Sequence, residues 1–521
     1  MFQWLQRRSQ PQDEGVILGT GRRYSEPRGR EHQIVLPDRL PNKHAIIWGK
    51  SGMGKSRFLF PIIMQKICAG ESVVVFDSHE MWPHILDAIG QEFELEDLVG
   101  RICIINPTDL RYGVVGLNVL ETNEGLEPFA VTEELLSAFK SIWSESFGDR
   151  MADLIRQTCW TLVAHKLTLK DFTRLLSDEE FRRRLVSTID HEETRLFWQY
   201  FDRLKGEART WVESSRNKVS ALMMNPFAKL MLSQPKSTVR FGDVINHPKG
   251  GICFVHLSRD DLKTDQQRLL GALIFSKLYM SILARKSIPE SERRPVNIFV
   301  EEASEIFQPD AVLNILSGAR KLGARLWLCF QSIAQVSAHD VQLILNGAAV
   351  HVVFNVEREE AKRLLGLFSF TGTHVKHEER DFWGPKGKPS FYSIQDEQEN
   401  CIRELIIQRN RECYIRIFGD DCDEPYITEA PFVEYPPEQE TIRNELHALS
   451  ARCYAIPYGA AVSEVEKSSF GGEGVGGYNK KEDAPQQPED LMSLFQGDEF
   501  KKPTRSFKGP PKGHKPTARR E

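Results

Sequence analysis

One glycine-rich segment constrains the fold of this 521-residue chain more than any other feature. Residues 49–56 read GKSGMGKS, which fits the pattern G-x-x-x-x-G-K-[ST], and they directly follow the apolar run Ala45–Trp48. The next segment, Arg57–Ala69, has a helical pattern. A glycine-rich loop between a buried strand and a helix is the context in which this pattern binds nucleotide phosphates. The sequence therefore predicts an α/β fold built around a phosphate-binding loop.

The residue types of this loop suit ATP and Mg²⁺. The glycines let the backbone curl, so that the N–H groups of the loop and of the following helix surround the phosphates. Lys55 would neutralise charge on the β- and γ-phosphates, and Ser56 would hold Mg²⁺. The predicted nucleotide-binding residues are Gly49, Lys50, Ser51, Gly52, Met53, Gly54, Lys55 and Ser56.

Two carboxylates follow a second apolar run, Pro295–Val300. A phosphate-binding loop needs such a strand, whose first acid supports Mg²⁺ and whose second acid polarises the attacking water. We therefore predict Glu301 as a metal ligand and Glu302 as the catalytic base. The first acid is usually aspartate, and two surface acids at a strand end would give the same pattern.

Two further polar residues are candidates for the catalytic machinery. Gln331 follows the apolar run Arg325–Phe330, where an amide could contact the γ-phosphate or the attacking water and sense hydrolysis. A turn or capping residue is the alternative. Arg320 lies just before this run and is the candidate arginine finger for a neighbouring subunit's nucleotide. A solvated basic helix face explains Arg320 equally well.

Short apolar runs and helical patterns alternate along most of the chain, which indicates a parallel or mixed sheet covered on both faces. The predicted strands are Ala45–Trp48, Val73–Phe76, Cys103–Ile105, Ile252–Leu257, Val296–Val300, Leu326–Phe330, Val350–Asn355 and Tyr414–Phe418. From about Pro128 to Ser233 apolar residues recur at helical spacing without a strand pattern. This block predicts an inserted all-α domain.

These patterns divide the chain into five predicted segments. They are a flexible lead-in (1–35), the first part of the nucleotide-binding domain (36–127), the all-α domain (128–233), the second part of the nucleotide-binding domain (234–437) and a mostly disordered tail with a basic end (438–521). The lead-in is polar, and we expect it to become ordered near Val16–Leu18 or Gln33–Leu36. The tail is rich in Gly, Pro and charge. Its basic end could hold nucleic acid, a membrane surface or an acidic protein, or could simply keep the chain soluble.

The overall composition excludes several classes of protein. With 40% hydrophobic residues and a formal net charge of -5, the chain is neither collagen-like nor wholly disordered. Nine cysteines are scattered singly, so we expect reduced and mostly buried thiols. No stretch resembles a signal peptide or a transmembrane helix. We therefore expect a cytoplasmic protein.

In combination, these motifs resemble those of the type IV secretion coupling proteins, the TraG/TraD-like members of the FtsK–HerA superfamily of ring-forming translocases. The resemblance runs from Glu14 to about Pro437. It rests on Glu14–Gly19, His44, Val73–Asp77, Asn106-Pro107, Leu117-Asn118, the helical insertion, Glu301-Glu302 and Gly318–Gln335. The last run is the most specific, because the family typically has a basic helix end, a glycine, an apolar strand and then Gln-x-x-x-Gln.

The resemblance implies a RecA-like motor domain with an inserted all-α domain, six subunits in a ring, nucleotide between subunits and DNA in the central channel. The family's roles fall on residues selected above: phosphate and metal contacts on Lys55 and Ser56, the metal and base acids on Glu301 and Glu302, and the sensor on Gln331. Arg320 aligns with the arginine that acts in trans. The implied partners are DNA, relaxase or relaxosome proteins, a membrane-embedded channel or anchor protein, and further copies of the chain.

Two departures from the family pattern matter. Most coupling proteins begin with transmembrane helices, and we expect none here, so the chain would reach the inner face of the membrane through a partner or act away from it. The Glu301-Glu302 pair also replaces the usual Asp-Glu.

Three functions remain open from the sequence. The first is a hexameric ATP-driven DNA translocase that delivers DNA with its bound relaxase to a type IV secretion or conjugation channel. The second is a nucleotide-gated cargo receptor with little motor activity, in which Asp490–Gln496 would dock on a partner, although this segment could equally be a chance apolar patch. The third is a cytoplasmic HerA-like motor for DNA repair or defence.

Overall fold

The computed structural model describes residues 15–27, 29–38, 40, 44–79, 81–122, 126–143, 147–204, 208–258, 261–306, 316, 318–333, 338–370, 375–377, 380–381, 384–385, 390–419, 424–431 and 433–469. The predicted docking segment Asp490–Gln496, the basic end of the tail and Gln335 lie outside these residues.

The centre of the described structure is an 11-stranded sheet with the order β2-β1-β15-β14-β9-β3-β8-β7-β4-β6-β5. The strands are β1 (Gly15–Arg23), β2 (His32–Pro37), β3 (Ala45–Trp48), β4 (Ser72–Asp77), β5 (Ile102–Ile105), β6 (Ile252–His256), β7 (Val296–Val300), β8 (Ala324–Phe330), β9 (Val350–Val353), β10 (Val375–His377), β11 (Arg380–Asp381), β12 (Gly384–Pro385), β13 (Ser390–Phe391), β14 (Glu412–Ile417) and β15 (Tyr426–Glu429). Strands β10 with β13, and β11 with β12, form two small separate pairs. All eight strands predicted from apolar runs are confirmed.

The sheet has a parallel part and an antiparallel part. Strands β9, β3, β8, β7, β4, β6 and β5 run parallel. Strands β14, β15, β1 and β2 continue the sheet in antiparallel pairing, and we call these four strands the antiparallel arm. The prediction of a mixed α/β sheet is therefore confirmed.

Helices cover both faces of the sheet. They are α1 (Lys55–Cys68), α2 (Met81–Glu92), α3 (Leu95–Leu98), α4 (Pro128–Trp143), α5 (Asp149–Ala164), α6 (Asp171–Ser177), α7 (Glu179–Val186), α8 (Glu192–Arg203), α9 (Ala208–Met223), α10 (Pro226–Leu232), α11 (Phe241–Ile245), α12 (Thr264–Ala284), α13 (Ala303–Ile306), α14 (Ala338–Gly347), α15 (Arg358–Leu364), α16 (Ile394–Ile407), α17 (Glu440–Tyr454) and α18 (Tyr458–Ser469). Five short 3₁₀ turns are Leu110–Tyr112, Arg285–Ser287, Glu290–Glu292, Arg320–Leu322 and Leu365–Leu367. No helix among the described residues is long and apolar enough to cross a membrane.

Two hydrophobic cores form because successive side chains of a strand point to opposite faces. In β3, Ile46 and Trp48 join the core that contains most of the helical insertion. Ala45 and Ile47 join the core that contains α1 and α2. The parallel strands are therefore apolar at most positions on both faces, as the short continuous runs predicted.

In its described residues, the block between β5 and β6 contains one 3₁₀ turn and the helices α4 to α11, and no strand. Helix α4 packs against α5 and also against α12, which follows β6. Phe139, Leu154 and Trp198 are among its fully buried side chains. The helical spacing of apolar residues thus predicted the secondary structure of this block correctly.

The lead-in is ordered where the sequence predicted, at β1 and β2, whereas part of the predicted tail is more ordered than its composition predicted. In the predicted lead-in, residues 15–23 form β1, and the Gln65 side chain of α1 exchanges two hydrogen bonds of 2.9 Å with the Ile17 backbone. Residues 440–469 of the predicted tail form α17 and α18. Polar groups on α17 pair with buried partners, which composition cannot reveal.

Helix α17 is fastened to α2 and β5. Asp87 of α2 is fully buried and pairs with Arg443 through both carboxylate oxygens. The Ser450 hydroxyl accepts a 2.7 Å hydrogen bond from the Ile104 N–H, and the Tyr112 hydroxyl donates to Asn444 at 2.8 Å. These contacts make α17 part of the folded domain.

We predict that Arg443→Ala lowers the free energy of unfolding by about 3–5 kcal/mol, because it leaves the buried Asp87 carboxylate without its cation. Urea denaturation of the purified chain measures this loss. The matched control is Arg358→Ala, which breaks an exposed pair with Glu399 and should cost at most about 1 kcal/mol. Equal losses in the two variants would contradict the prediction.

Candidate functional site

Three strand ends converge at one edge of the sheet. Strand β8 lies between β3 and β7, and all three run parallel. Their carboxyl ends therefore meet at the same edge, which is where open α/β sheets bind ligands. The phosphate-binding loop follows β3, the acid pair Glu301-Glu302 follows β7, and Gln331 follows β8.

The phosphate-binding loop needs glycine at two positions for different reasons. At Gly49 a Cβ atom would lie 2.5 Å from the Cβ of Phe354, which directly follows β9, so any side chain would clash there. Gly54 has a φ of +104°, a conformation that favours glycine, and α1 begins directly after it. The loop thus has the tight shape that the motif predicts.

Lys55 lies inside this loop. Its Nζ donates hydrogen bonds to the carbonyls of Gly49 at 2.6 Å and Lys50 at 2.9 Å. The side chain is only 7% exposed, and this burial lowers the pKa of Lys55. A phosphate group would offer Lys55 a stronger, charged acceptor than these neutral carbonyls.

The first predicted acid contacts the predicted metal-binding serine. The Ser56 hydroxyl donates to Oε1 of Glu301. The other oxygen, Oε2, is buried and has no hydrogen-bond donor among the described residues. Asp77, at the end of β4, lies within hydrogen-bonding distance of Glu301. A hydroxyl beside two carboxylates is the all-oxygen donor set that Mg²⁺ prefers, so these residues fit that ion.

The environment of Glu301 opposes a negative charge there. Burial, together with the neighbouring Asp77, raises the pKa of Glu301 to about 9. Asp77 itself accepts hydrogen bonds of 2.7 Å from the N–H groups of His79 and Trp82. A cation at this position would remove the conflict between the two carboxylates.

The second acid and the predicted sensor are in direct contact. The Gln331 side-chain amide donates to Oε1 of Glu302. His79 Nε2 lies 3.7 Å from the same oxygen. Glu302 is 6% exposed, so little bulk water reaches it. The acid and the amide can therefore orient one polar group between them.

Helix α15 holds the sensor segment and the phosphate-binding loop together. Glu360 accepts a hydrogen bond from the Ser332 hydroxyl and another, of 2.8 Å, from the Ile333 N–H. Glu357, at the start of the same helix, pairs with Lys50 at 2.6 Å. The position of Gln331 is thus tied to the position of the loop.

A cavity of about 340 Å³ contains this chemistry. The residues that line it are Ser51, Gly52, Gly54, Lys55, Ser56, Arg57, His79, Glu301, Glu302, Gln331, Asn410 and Arg411. Eight of them were predicted from the sequence, while Gly49, Lys50 and Met53 lie in the same loop without lining the cavity. The sequence did not predict Asp77 beside the cavity, nor Arg57, His79, Asn410 and Arg411 within it. Only Asp77 had a sequence signal, since it ends an apolar run as Glu301 does.

Arg320 lies at the opposite edge of the sheet. It precedes β8, whereas Gln331 follows it, and a seven-residue strand spans roughly 23 Å. Arg320 is exposed and lines a second cavity of about 230 Å³ with Lys321 and Arg325. Within one chain it therefore does not reach the cavity around Lys55.

This arrangement has counterparts among solved structures. The bacterial conjugative coupling protein TrwBdeltaN70 in its unbound form is 16% identical, with a TM-score of 0.56 over 84% of this chain and 93% of that chain. The chain has the fold of TrwB. TrwB in complex with ADP and Mg²⁺ matches with a TM-score of 0.54 and 16% identity, over 84% of this chain and 93% of that chain. VirB4 of Thermoanaerobacter pseudethanolicus is 11% identical, with a TM-score of 0.50 over 82% of this chain and 98% of that chain.

The comparisons with sequences are negative. No protein-family model matches the chain, and no curated protein matches it. The solved structures confirm the predicted RecA-like P-loop fold.

We predict that Glu301→Gln stabilises the nucleotide-free protein, and that the gain grows with pH. Between the ordinary pKa of 4.5 and the raised value of about 9, folded Glu301 holds a proton that the unfolded chain releases, so wild-type stability falls as pH rises. Glutamine cannot titrate. The gain in unfolding free energy should therefore increase by about 1–2 kcal/mol between about pH 6 and about pH 8.

Urea denaturation of both proteins at the two pH values, without nucleotide or Mg²⁺, tests this prediction. Glu464→Gln, a change of a half-buried acid in α18 that pairs with Lys467, is the control. A Glu301→Gln curve parallel to that of the wild type would show that Glu301 is ionised in the folded chain.

Proposed function

We propose that this chain is the ATP-hydrolysing subunit of a ring, a hexamer on DNA, that moves DNA and its bound relaxase to a type IV secretion or conjugation channel. The observation that carries the enzymatic part is the contact between Gln331 and Glu302 in one cavity with Lys55 and Ser56. A nucleotide-binding site without hydrolysis would not need an acid and an amide aimed at the same point.

The chain's own groups suggest how hydrolysis would proceed. The loop N–H groups and Lys55 would bind the β- and γ-phosphates, and Ser56 and Glu301 would hold Mg²⁺, which supplies positive charge beside the transferred phosphoryl group. Glu302 would accept a hydrogen bond from the attacking water and orient it. Gln331, held by the segment that Glu360 anchors, would contact the same water or the γ-phosphate.

Arg320 supports a ring rather than a single active subunit. It lies at the edge of the sheet opposite Lys55, so it could complete only the site of a neighbouring copy. Head-to-tail packing of identical subunits brings opposite edges together, and it closes into a ring where the rotation between neighbours allows. We propose Arg320 as the residue that stabilises the transition state in trans.

The DNA, the cargo and the location form the less direct part of the proposal. TrwB is described as a plasmid and conjugative coupling protein, and VirB4 shares the fold. By analogy, the helices α4–α10 would receive the relaxase, and a membrane-embedded channel or anchor protein would recruit the cytoplasmic chain. Contact with the DNA backbone would depend on Lys and Arg and would weaken with salt.

We predict that Glu302→Gln reduces ATP turnover by roughly 100- to 10,000-fold while nucleotide binding persists, because the substitution removes a general base but leaves the loop intact. Steady-state hydrolysis with and without DNA, across protein concentration, measures the loss. Glu464→Gln is the matched control. If the wild type binds ATP but hydrolyses it no faster than the Glu302→Gln variant, a nucleotide-gated receptor is favoured.

We also predict that two inactive variants restore each other's activity. Arg320→Ala removes the arginine and Lys55→Ala the nucleotide site, so each alone should lose roughly 1,000-fold or more in turnover. In an equal mixture, about a quarter of the head-to-tail interfaces would combine an intact loop with an intact Arg320. The mixture should therefore recover up to about a quarter of wild-type turnover. No recovery in mixed oligomers would contradict a role in trans.

A further inference from the structure

A short loop from the far end of the chain covers the phosphate-binding loop. It comprises residues 408–411, between α16 and β14, and we call it the clamp loop. The Asn410 side chain donates a 2.9 Å hydrogen bond to the Gly52 carbonyl, and the Arg411 N–H donates a 3.0 Å bond to the Met53 carbonyl. A Cβ atom at Gly54 would lie 3.3 Å from Cγ of Arg411, so the two loops are in close contact.

These two bonds orient the groups that phosphates would bind. In a trans peptide the C=O and the following N–H point in opposite directions, and the described residues contain no cis peptide. Holding the Gly52 and Met53 carbonyls towards the clamp loop therefore turns the N–H groups of Met53 and Gly54 away from it. Among the described residues, no atom lies within 4 Å of where a Cβ of Gly52 would be, so none of them packs against that side of the loop.

The clamp loop and the phosphate-binding loop share an anchor at the end of β9. The Gln408 side chain is buried and donates to the Val353 carbonyl at 3.2 Å. The Asn355 side chain donates to the Gln408 carbonyl at 3.1 Å, and the Asn355 carbonyl accepts a 2.9 Å bond from the Lys50 N–H. The spacing between the two loops is therefore fixed by the sheet.

Arg411 connects the clamp loop to the antiparallel arm. Its φ of +75° is unusual for a residue with a side chain, and among the described residues only Lys166 shares this feature. The Ala430 N–H donates to the Arg411 carbonyl at 2.8 Å, the guanidinium donates to the Ala430 carbonyl at 3.1 Å, and it pairs with Glu429 at 2.8 Å. Such a conformation persists only where the surroundings hold it.

We propose that the clamp loop positions the phosphate-binding loop, with Asn410 and Arg411 holding its backbone in the phosphate-binding conformation. Glycines allow many backbone conformations, so an external hold that selects the binding one increases affinity. For the identity of the ligand, ATP, the inference rests on the proposed function.

The test uses Asn410→Ala and Asn410→Asp in the full chain. We expect both to weaken binding of a fluorescent ATP analogue with Mg²⁺ by about 3- to 10-fold, the effect of losing one hydrogen bond. The Asn410→Asp variant should lose at least as much nucleotide affinity, because its carboxylate would face the Gly52 carbonyl. In steady-state kinetics the loss should fall mainly on KM rather than on kcat. Amide hydrogen exchange of residues 52–55 should become faster in the nucleotide-free variants.

The matched control is Asn246→Ala, which removes a similar 2.8 Å bond from an asparagine amide to a glycine carbonyl, that of Gly242. It should change neither nucleotide affinity nor exchange at residues 52–55. If both Asn410 variants, like this control, change neither nucleotide affinity nor exchange at residues 52–55, the proposed role of the clamp loop is wrong. If the wild type binds no nucleotide, the proposed function fails, whereas the exchange measurement still decides the clamp.

Discussion

The pairing of β8 with β3 on one side and β7 on the other sets the geometry of the whole site. One functional segment follows each of these strands. Because the strands run parallel, all three segments lie at the same edge of the sheet. Lys55, Glu302 and Gln331 therefore meet although they lie far apart in sequence. Side chains of these three strands belong to both hydrophobic cores, which hold the strands in place.

The site holds unfavourable interactions that the apo fold alone does not need. Glu301 is buried beside Asp77, and Lys55 is buried against neutral carbonyls. Each arrangement costs stability without a ligand and becomes favourable when a cation or a phosphate arrives. Binding and stability are therefore opposed at this edge, as they often are in preorganised sites.

Local sequence patterns predicted the elements whose structure depends mainly on residues close by in the sequence. The buried strands, the helical block and the loop at residues 49–56 each have a continuous pattern, and all formed as expected. Strand β15 and helix α17 depend on distant partners, such as Asp87 for Arg443, so no strand was predicted at β15 and composition assigned α17 to a tail. Asn410 was missed for the same reason, because its contact with Gly52 crosses 358 residues.

The pairing of β1 with β15 also has a consequence for biosynthesis. The Thr428 hydroxyl bonds to the Thr20 carbonyl, and the two residues are 408 positions apart. At roughly 5–20 residues per second, the ribosome would need on the order of 20–80 seconds between making the two strands. During that interval β1 and β2 must wait beside an incomplete sheet with an unpaired edge. Until its last strand emerges, a nascent chain of this protein therefore presents a strand edge with which other chains could pair.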